Sequence, residues 1–191
     1  MMKRSEINEV VRKATVFYAQ NGWHLPPQPR WDVTDFGLGN FKRYGLVLIN
    51  LAEEKEYCEK LMYAQLGMTT PLHCHKKKKE DIIARAGSFK ILLYNAHPDH
   101  AVAGEKFTVN VCGQARTVSN GETIRIQTGE RVTLMPGVYH EFYPDVEEAI
   151  IGEVSTANDD LNDNFFVNPD VGRYPEITED EPPMLKLLSD K

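Results

Sequence analysis

The chain has 191 residues, 41% of them hydrophobic and 26% charged, which suits one well-buried core and carries no disordered bias. A formal net charge of −6 speaks against a nucleic-acid binder, which presents a basic face. No run of apolar residues reaches the length of a bilayer span, so a membrane is not an expected partner either.

The N-terminus, MMKRSEINEVVRKATVFYAQ, opens on charges and lacks the apolar core of a signal peptide. Cys58, Cys74 and Cys112 are sparse, odd in number and spaced for neither a zinc motif nor a disulfide framework, so a reducing cytoplasm is expected. Over residues 5–21, Ile7, Val10, Val11, Ala14, Phe17 and Tyr18 recur at helical spacing, with Ser5 available as N-cap and Gly22 as a stop. LPPQPR (25–30) breaks the helix and reads as an extended connector.

From about residue 44 the pattern changes to short strands and turns. YGLVLINLA (44–52), EYCEKLMYAQ (56–65), DIIARA (81–86), FKILLYN (89–95), EKFTVNV (105–111), RTVS (116–119), ETIRIQ (122–127), RVTLM (131–135) and AIIGEVS (149–155) all read as strands. Asn120-Gly121 is a strong hairpin signal, with weaker ones at Gly87-Ser88 and Gly129-Glu130. So many short strands imply a mainly β sandwich or barrel. The stretch 168–183 is proline-rich and acidic, more a wrapping tail than a core element.

One segment of this pattern carries chemistry. In PLHCHKKKKED, strand geometry sets His73 and His75 on one face and turns Cys74 to the other. Glu80 follows the lysine run and can bring a carboxylate from the next strand. His140, in MPGVYHEF, is the natural fourth ligand, expected at a strand end after a Pro-Gly bend. Lys76–Lys79 taken alone read as a solvated turn. A bare His-x-His is weak evidence of a metal, but here the spacing continues. Gly67, His73, His75, Glu80 and Gly87 reproduce the first cupin motif, and Gly129, Pro136-Gly137 and His140 resemble the second. The second departs from the pattern where its usual proline falls one position late, at Pro136, and where Pro144 replaces the terminal asparagine. The resemblance implies a cupin-type (jelly-roll) β-barrel over 31–167, an N-terminal helix and connector over 1–30 and a wrapping C-terminal tail over 168–191. Three imidazoles and one carboxylate suit one divalent ion, Mn²⁺, Fe²⁺, Co²⁺, Ni²⁺ or Zn²⁺, with open positions left for a substrate.

Three segments, HCHKKKKEDIIARAG (73–87), GEVSTANDDLNDNFF (152–166) and GRYPEITEDEPP (172–183), resemble the cupin D-lyxose isomerase family from about Trp31 through the tail. The Lys78–Glu80–Asp81–Ile82–Ile83 run and Asn158-Asp159-Asp160 carry the likeness further than the general cupin motifs do. The resemblance implies a manganese-dependent aldose–ketose isomerase, commonly a homodimer. It would interconvert D-lyxose and D-xylulose, and for some members D-mannose and D-fructose, through an enediol(ate) with acid–base catalysis. Lys78 then falls at an active-site lysine position, where its neighbours' positive charge and the metal are expected to lower its pKa. In AIIGEVS, alternation places Glu153 on the face of Ala149 and Ile151, which makes it the candidate base. Asp163 and Arg173 are candidates to bind the sugar. The run NDDLNDN lacks the glycine and terminal glutamate of a calcium loop.

Three other readings share these residues. An Fe²⁺ cupin dioxygenase uses the same ligands. A cupin phosphoglucose isomerase needs a phosphate patch, for which Thr69-Thr70 is a thin candidate. A sugar-binding cupin without turnover needs neither Lys78 nor Glu153.

Overall fold

A computed structural model describes residues 2–156, 158–159, 162–172 and 176–190. The chain begins with β1 (Met2–Lys3), α1 (Arg4–Gln20), β2 (Arg30–Thr34), α2 (Phe41–Tyr44), β3 (Leu46–Glu53) and β4 (Tyr57–Gln65). Next come β5 (His73–Cys74), β6 (Glu80–Ala86), β7 (Ser88–Tyr94), β8 (Lys106–Val111), β9 (Gln114–Ser119) and β10 (Glu122–Gln127). The last strands are β11 (Arg131–Leu134), β12 (Tyr139–Pro144), β13 (Glu148–Thr156), β14 (Phe165–Phe166) and β15 (Ile177–Thr178).

Eight strands form one sheet, in the order β2-β3-β4-β13-β6-β11-β8-β9, and five form a second, β10-β7-β12-β5-β14. Both are antiparallel, while β1 pairs with β15 in parallel. This is the mainly β barrel expected, with an N-terminal helix outside it. Between the sheets lies a core that includes Leu46, Leu48, Met62, Ile82, Phe89, Ile91, Leu93, Phe142 and Ile151. Alternation sends the odd-numbered neighbours Val47, Ile49, Leu61 and Tyr63 to the outer face, where Ile7, Val10, Val11, Ala14 and Tyr18 of α1 cover them. Strands β3 and β4 are therefore buried on both faces, which is why they read as nearly unbroken apolar runs. Each fully buried aliphatic side chain contributes roughly 1.5–3 kcal/mol, so the helix is held by its apolar stripe.

The short β1, α2, β14 and β15 are additions to the helix and strands expected, and three further elements differ from the expectation. The helix starts at Arg4, and Ser5 lies inside it. The Ser5 N–H and hydroxyl donate to Asp180 at 2.9 and 2.7 Å, so a carboxylate from the tail does the capping. β2 forms at the end of the proline-rich connector, pairing Trp31 with Ile49 and Val33 with Val47. His140 stands near the start of β12, not at a strand's end. Gly137, at φ +89°, reverses the chain before it and donates its N–H to the His75 carbonyl at 2.7 Å.

The tail wraps back over the barrel. Leu187 is buried beside Trp31, and the Leu188 N–H donates to the Trp31 carbonyl at 2.9 Å. Gly172 donates to the Phe36 carbonyl at 2.8 Å, and a Cβ on Gly37 would stand 3.3 Å from the Gly172 Cα, so this closure needs glycine. Among the described residues, no helix is long and apolar enough to cross a membrane.

Candidate active site

Between the sheets opens a cavity of about 500 Å³, and His73, His75, Glu80 and His140 all line it. Register explains why. His73 on β5 pairs with His140 on β12, and the His73 and His140 ring centroids stand 4.3 Å apart, with His73 to His75 at 5.0 Å. Glu80 is the first residue of β6, reached after the lysine turn. Its Oε1 lies 3.4 Å from His75 Nε2 and 3.0 Å from His140 Nε2.

The protonation pattern prepares this cluster for a cation. Each imidazole turns Nδ1 to a main-chain carbonyl: His73 to Pro71 at 2.8 Å, His75 to Asp163 at 2.7 Å and His140 to Val138 at 3.2 Å. A carbonyl can only accept, so Nδ1 carries a hydrogen, and in the neutral imidazole the Nε2 lone pair then points inward. Burial, then the His140 and His75 rings, push the pKa of His73 well below the usual histidine range, which keeps it neutral. The Nε2 atoms of His75 and His140 and the Oε1 of Glu80 are buried and meet no hydrogen-bond donor among the described residues. Three buried acceptors facing one another are costly unless a cation sits between them. The ligating atoms of His73, His75 and His140 lie within 4.8 Å of one another, and the set could hold a metal ion. It fits the implied divalent ion.

Beside this cluster, Lys78 is the one lysine of the turn that points inward, being 4% exposed while Lys76, Lys77 and Lys79 are exposed. Its ammonium sits 2.9 Å from Glu80 Oε2 and 2.9 Å from Glu153 Oε1. The neighbouring positive charges and the metal are expected to lower the Lys78 pKa, and the two carboxylates act the other way. Burial pushes it down, but Glu153 and Glu80 outweigh burial and hold Lys78 above the ordinary lysine range. Burial would likewise raise the Glu153 carboxyl, and Lys60 with Lys78 reverse it. Glu153 itself is 7% exposed, within the cavity wall.

The other expected residues are placed as follows. Asp163 directs its carboxylate onto the lysine turn, accepting N–H groups from Lys76, Lys77 and Lys78, and it is Asn164 beside it that lines the cavity. That placement does not match the sugar-binding role expected for Asp163. Arg173 and Asp160 lie outside the described residues. Thr70 lines the cavity, with its hydroxyl engaged by the Phe142 main chain.

Lys60 was not among the expected residues. Its ammonium lies 3.6 Å from Glu153 Oε1 and 3.4 Å from Asn158 Oδ1, at the cavity wall. The signal was present in EYCEKLMYAQ, where Lys60 shares a face with Met62. Register puts Arg30, Asn50, Lys60 and Glu153 in one polar row across four adjacent strands, next to the apolar row of Leu48, Met62 and Ile151. Phe166 lies over His73, with centroids at 5.2 Å, and Phe36 packs on Phe166 at 6.0 Å. A polar strip with apolar and aromatic surfaces beside it suits a polyhydroxylated substrate.

Comparison with known proteins agrees with this chemistry. Residues 28–191 match the family model described as D-lyxose isomerase. A D-lyxose/D-mannose isomerase from Escherichia coli O157:H7 is 35% identical, with 99% of this chain and 98% of that protein covered. The D-lyxose ketol-isomerase of Cohnella laeviribosi is 30% identical over 94% of this chain and all of its own length. The crystal structure of Cellulomonas parahominis L-ribose isomerase with L-ribose shares the fold, with a TM-score of 0.68 at 16% identity, covering 93% of this chain and 98% of that one.

Proposed function

The chain belongs to the D-lyxose isomerase family, and from that premise we propose that it interconverts D-lyxose and D-xylulose, and D-mannose and D-fructose, at a site holding one divalent ion. The observation that carries this reading is the Lys78 ammonium held between Glu80 and Glu153 beside three inward-facing imidazoles. His73, His75, Glu80 and His140 are the residues that would hold the ion, with Mn²⁺ the expected metal. When bound, it would supply Lewis-acid polarisation of the sugar oxygens at C1 and C2.

The rest is proton transfer by the chain. Glu153, held as a carboxylate, takes the hydrogen from C2 and returns it to C1. Lys78, held as an ammonium, supplies a proton to the C1 oxygen and regains one from the C2 oxygen. Each residue ends as it began, and an aldose becomes a ketose. The pair also favours this reading over oxygen chemistry at the same ligands, which has no need of a buried acid and base. A homodimer acting in the cytoplasm completes the proposal, on the strength of the family resemblance and of a sparse, odd cysteine count.

The test is anaerobic incubation of the Mn²⁺-loaded protein with D-lyxose in heavy water. The expected result is D-xylulose, with deuterium at C2 of the recovered D-lyxose. No ketose from either aldose would overturn the function, and ketose free of solvent label would replace proton transfer with a hydride shift.

A further inference from the structure

We propose that Asp163 is a positioning residue that joins a metal-cluster histidine and the acid–base lysine into one rigid unit. Its main-chain carbonyl orients His75, and its carboxylate shapes the turn that presents Lys78. The inference rests on the isomerase reading for the role of Lys78, and on geometry alone for the clamp.

Four consecutive lysines form a poor turn on electrostatic grounds, since like charges repel. The turn is stabilised from inside. The N–H groups of Lys76, Lys77 and Lys78 converge on the Asp163 carboxylate, at 2.9 Å and 3.1 Å to Oδ1 and at 3.2 Å and 2.9 Å to Oδ2. Successive main-chain N–H groups of this kind form an anion-binding concavity, here filled by a side chain of the same protein. Asp163 is 3% exposed, so these charge-assisted bonds are shielded from water.

The second arm leaves from the same residue. The Asp163 carbonyl accepts the His75 Nδ1 hydrogen at 2.7 Å, fixing the tautomer that turns Nε2 toward Glu80 and His140. The two arms are chemically independent. A side-chain substitution cuts the first and leaves the carbonyl in place. Asparagine is the sharpest choice, because it keeps the volume but offers one acceptor and sets an NH₂ group against N–H donors. Lys78 then loses its fixed origin, and misplacement of a reacting group by about 1 Å costs on the order of 10²-fold in rate.

Asp163→Asn should lower kcat for D-lyxose about 10²-fold while KM and the Mn²⁺ affinity, read by electron paramagnetic resonance titration, stay within about threefold. In a Lys78→Met background the same change should cost less than about twofold more, because both act through one group. A full additional loss in that background would overturn the proposal. So would a raised KM with kcat intact, which would make Asp163 a sugar ligand, and so would loss of the metal. A measurement on the unaltered protein guards against a variant that fails to fold. By NMR, the Lys76, Lys77 and Lys78 amides should exchange at least about 10²-fold more slowly than in a free peptide, although the turn is at the surface. Free exchange sinks the clamp. Slow exchange in a protein that turns over no aldose would sink the isomerase reading and leave the clamp standing.

Discussion

The Lys78 ammonium stands midway between two carboxylates, 2.9 Å from Glu80 Oε2 and 2.9 Å from Glu153 Oε1. It links the residues proposed to hold the ion with the residue proposed to move the hydrogen. Replacing it tests both at once. Lys78→Met keeps the length of the side chain but leaves Glu80 and Glu153 near each other with no cation between. Turnover should fall by about 10²-fold or more. In the metal-free protein, unfolding by urea should show a loss of roughly 3 kcal/mol, the usual scale for breaking a buried pair. The double variant Lys78→Met/Glu153→Gln should recover part of that stability, since Glu80 still lacks its ammonium, and none of the activity. If the single variant is as stable as its parent, the ammonium is not the counter-ion described.

Glu153→Gln separates base from ligand. The amide matches the carboxylate in shape, retains an acceptor for Lys78 and cannot take a proton. The expected result is loss of turnover by about 10²-fold or more, with one divalent ion per subunit retained by elemental analysis. Loss of the ion together with activity would move Glu153 into the metal set.

Chelation should abolish activity, and Mn²⁺ should restore it. Binding to the folded chain alone also stabilises it. At free Mn²⁺ about 100 times its dissociation constant, the gain is about 2.7 kcal/mol, which for a chain of this size raises the melting temperature by about 5–10 °C. Scanning calorimetry with and without chelator measures this directly. His140→Ala should abolish the difference, because it removes one of the three imidazoles that converge there.

How much of this was legible in the sequence follows from the range of the interactions involved. Strands with period-two alternation and the His73, His75, Glu80, His140 spacing are local patterns, and the long strands and the cluster stand where those patterns put them. Glu153 was legible because it shares a face with Ala149 and Ile151. Lys60 obeys the same rule beside Met62, yet a lysine on an apolar face gains its meaning only from Glu153, 93 positions on and one strand away. The protonation state of Lys78 was not legible, since its sign is decided by two carboxylates brought in by different strands. Asp163 reads in the sequence as a candidate to bind the sugar. That its carboxylate is committed to the backbone of residues 76–78 is a tertiary fact with no periodic signature.

The last prediction concerns the clasp between the chain's two ends. Arg4, 2% exposed, donates to Glu179 at 2.6 and 2.8 Å and to Asp190 at 2.7 Å, while Ser5 holds Asp180. The hydrogen bond from Arg4 keeps Glu179 below its ordinary 4.5, and the bonds from Ser5 keep Asp180 below 3.8. At Asp190 burial acts upward and the Arg4 bonds outweigh it. A carboxylate whose folded pKa is depressed stabilises the fold fully above its unfolded value, and that contribution is lost as pH falls through the folded one. The clasp should therefore hold at neutral pH and loosen below about pH 4, so that the urea midpoint drops with acidity. Asp145, Glu153 and Asp163 are also held below their ordinary values by their partners, so Arg4→Met is the control. It should lower the midpoint at pH 7 and flatten its fall between about pH 5 and pH 3, because the clasp is already open. Equal slopes in the two proteins would show that the acid sensitivity arises elsewhere. Loosening also reaches the cavity, because Leu188 lines it from the same tail. Activity in the parent should accordingly fail at a pH above that of global unfolding, as tested by comparing initial rates with circular dichroism across the same series.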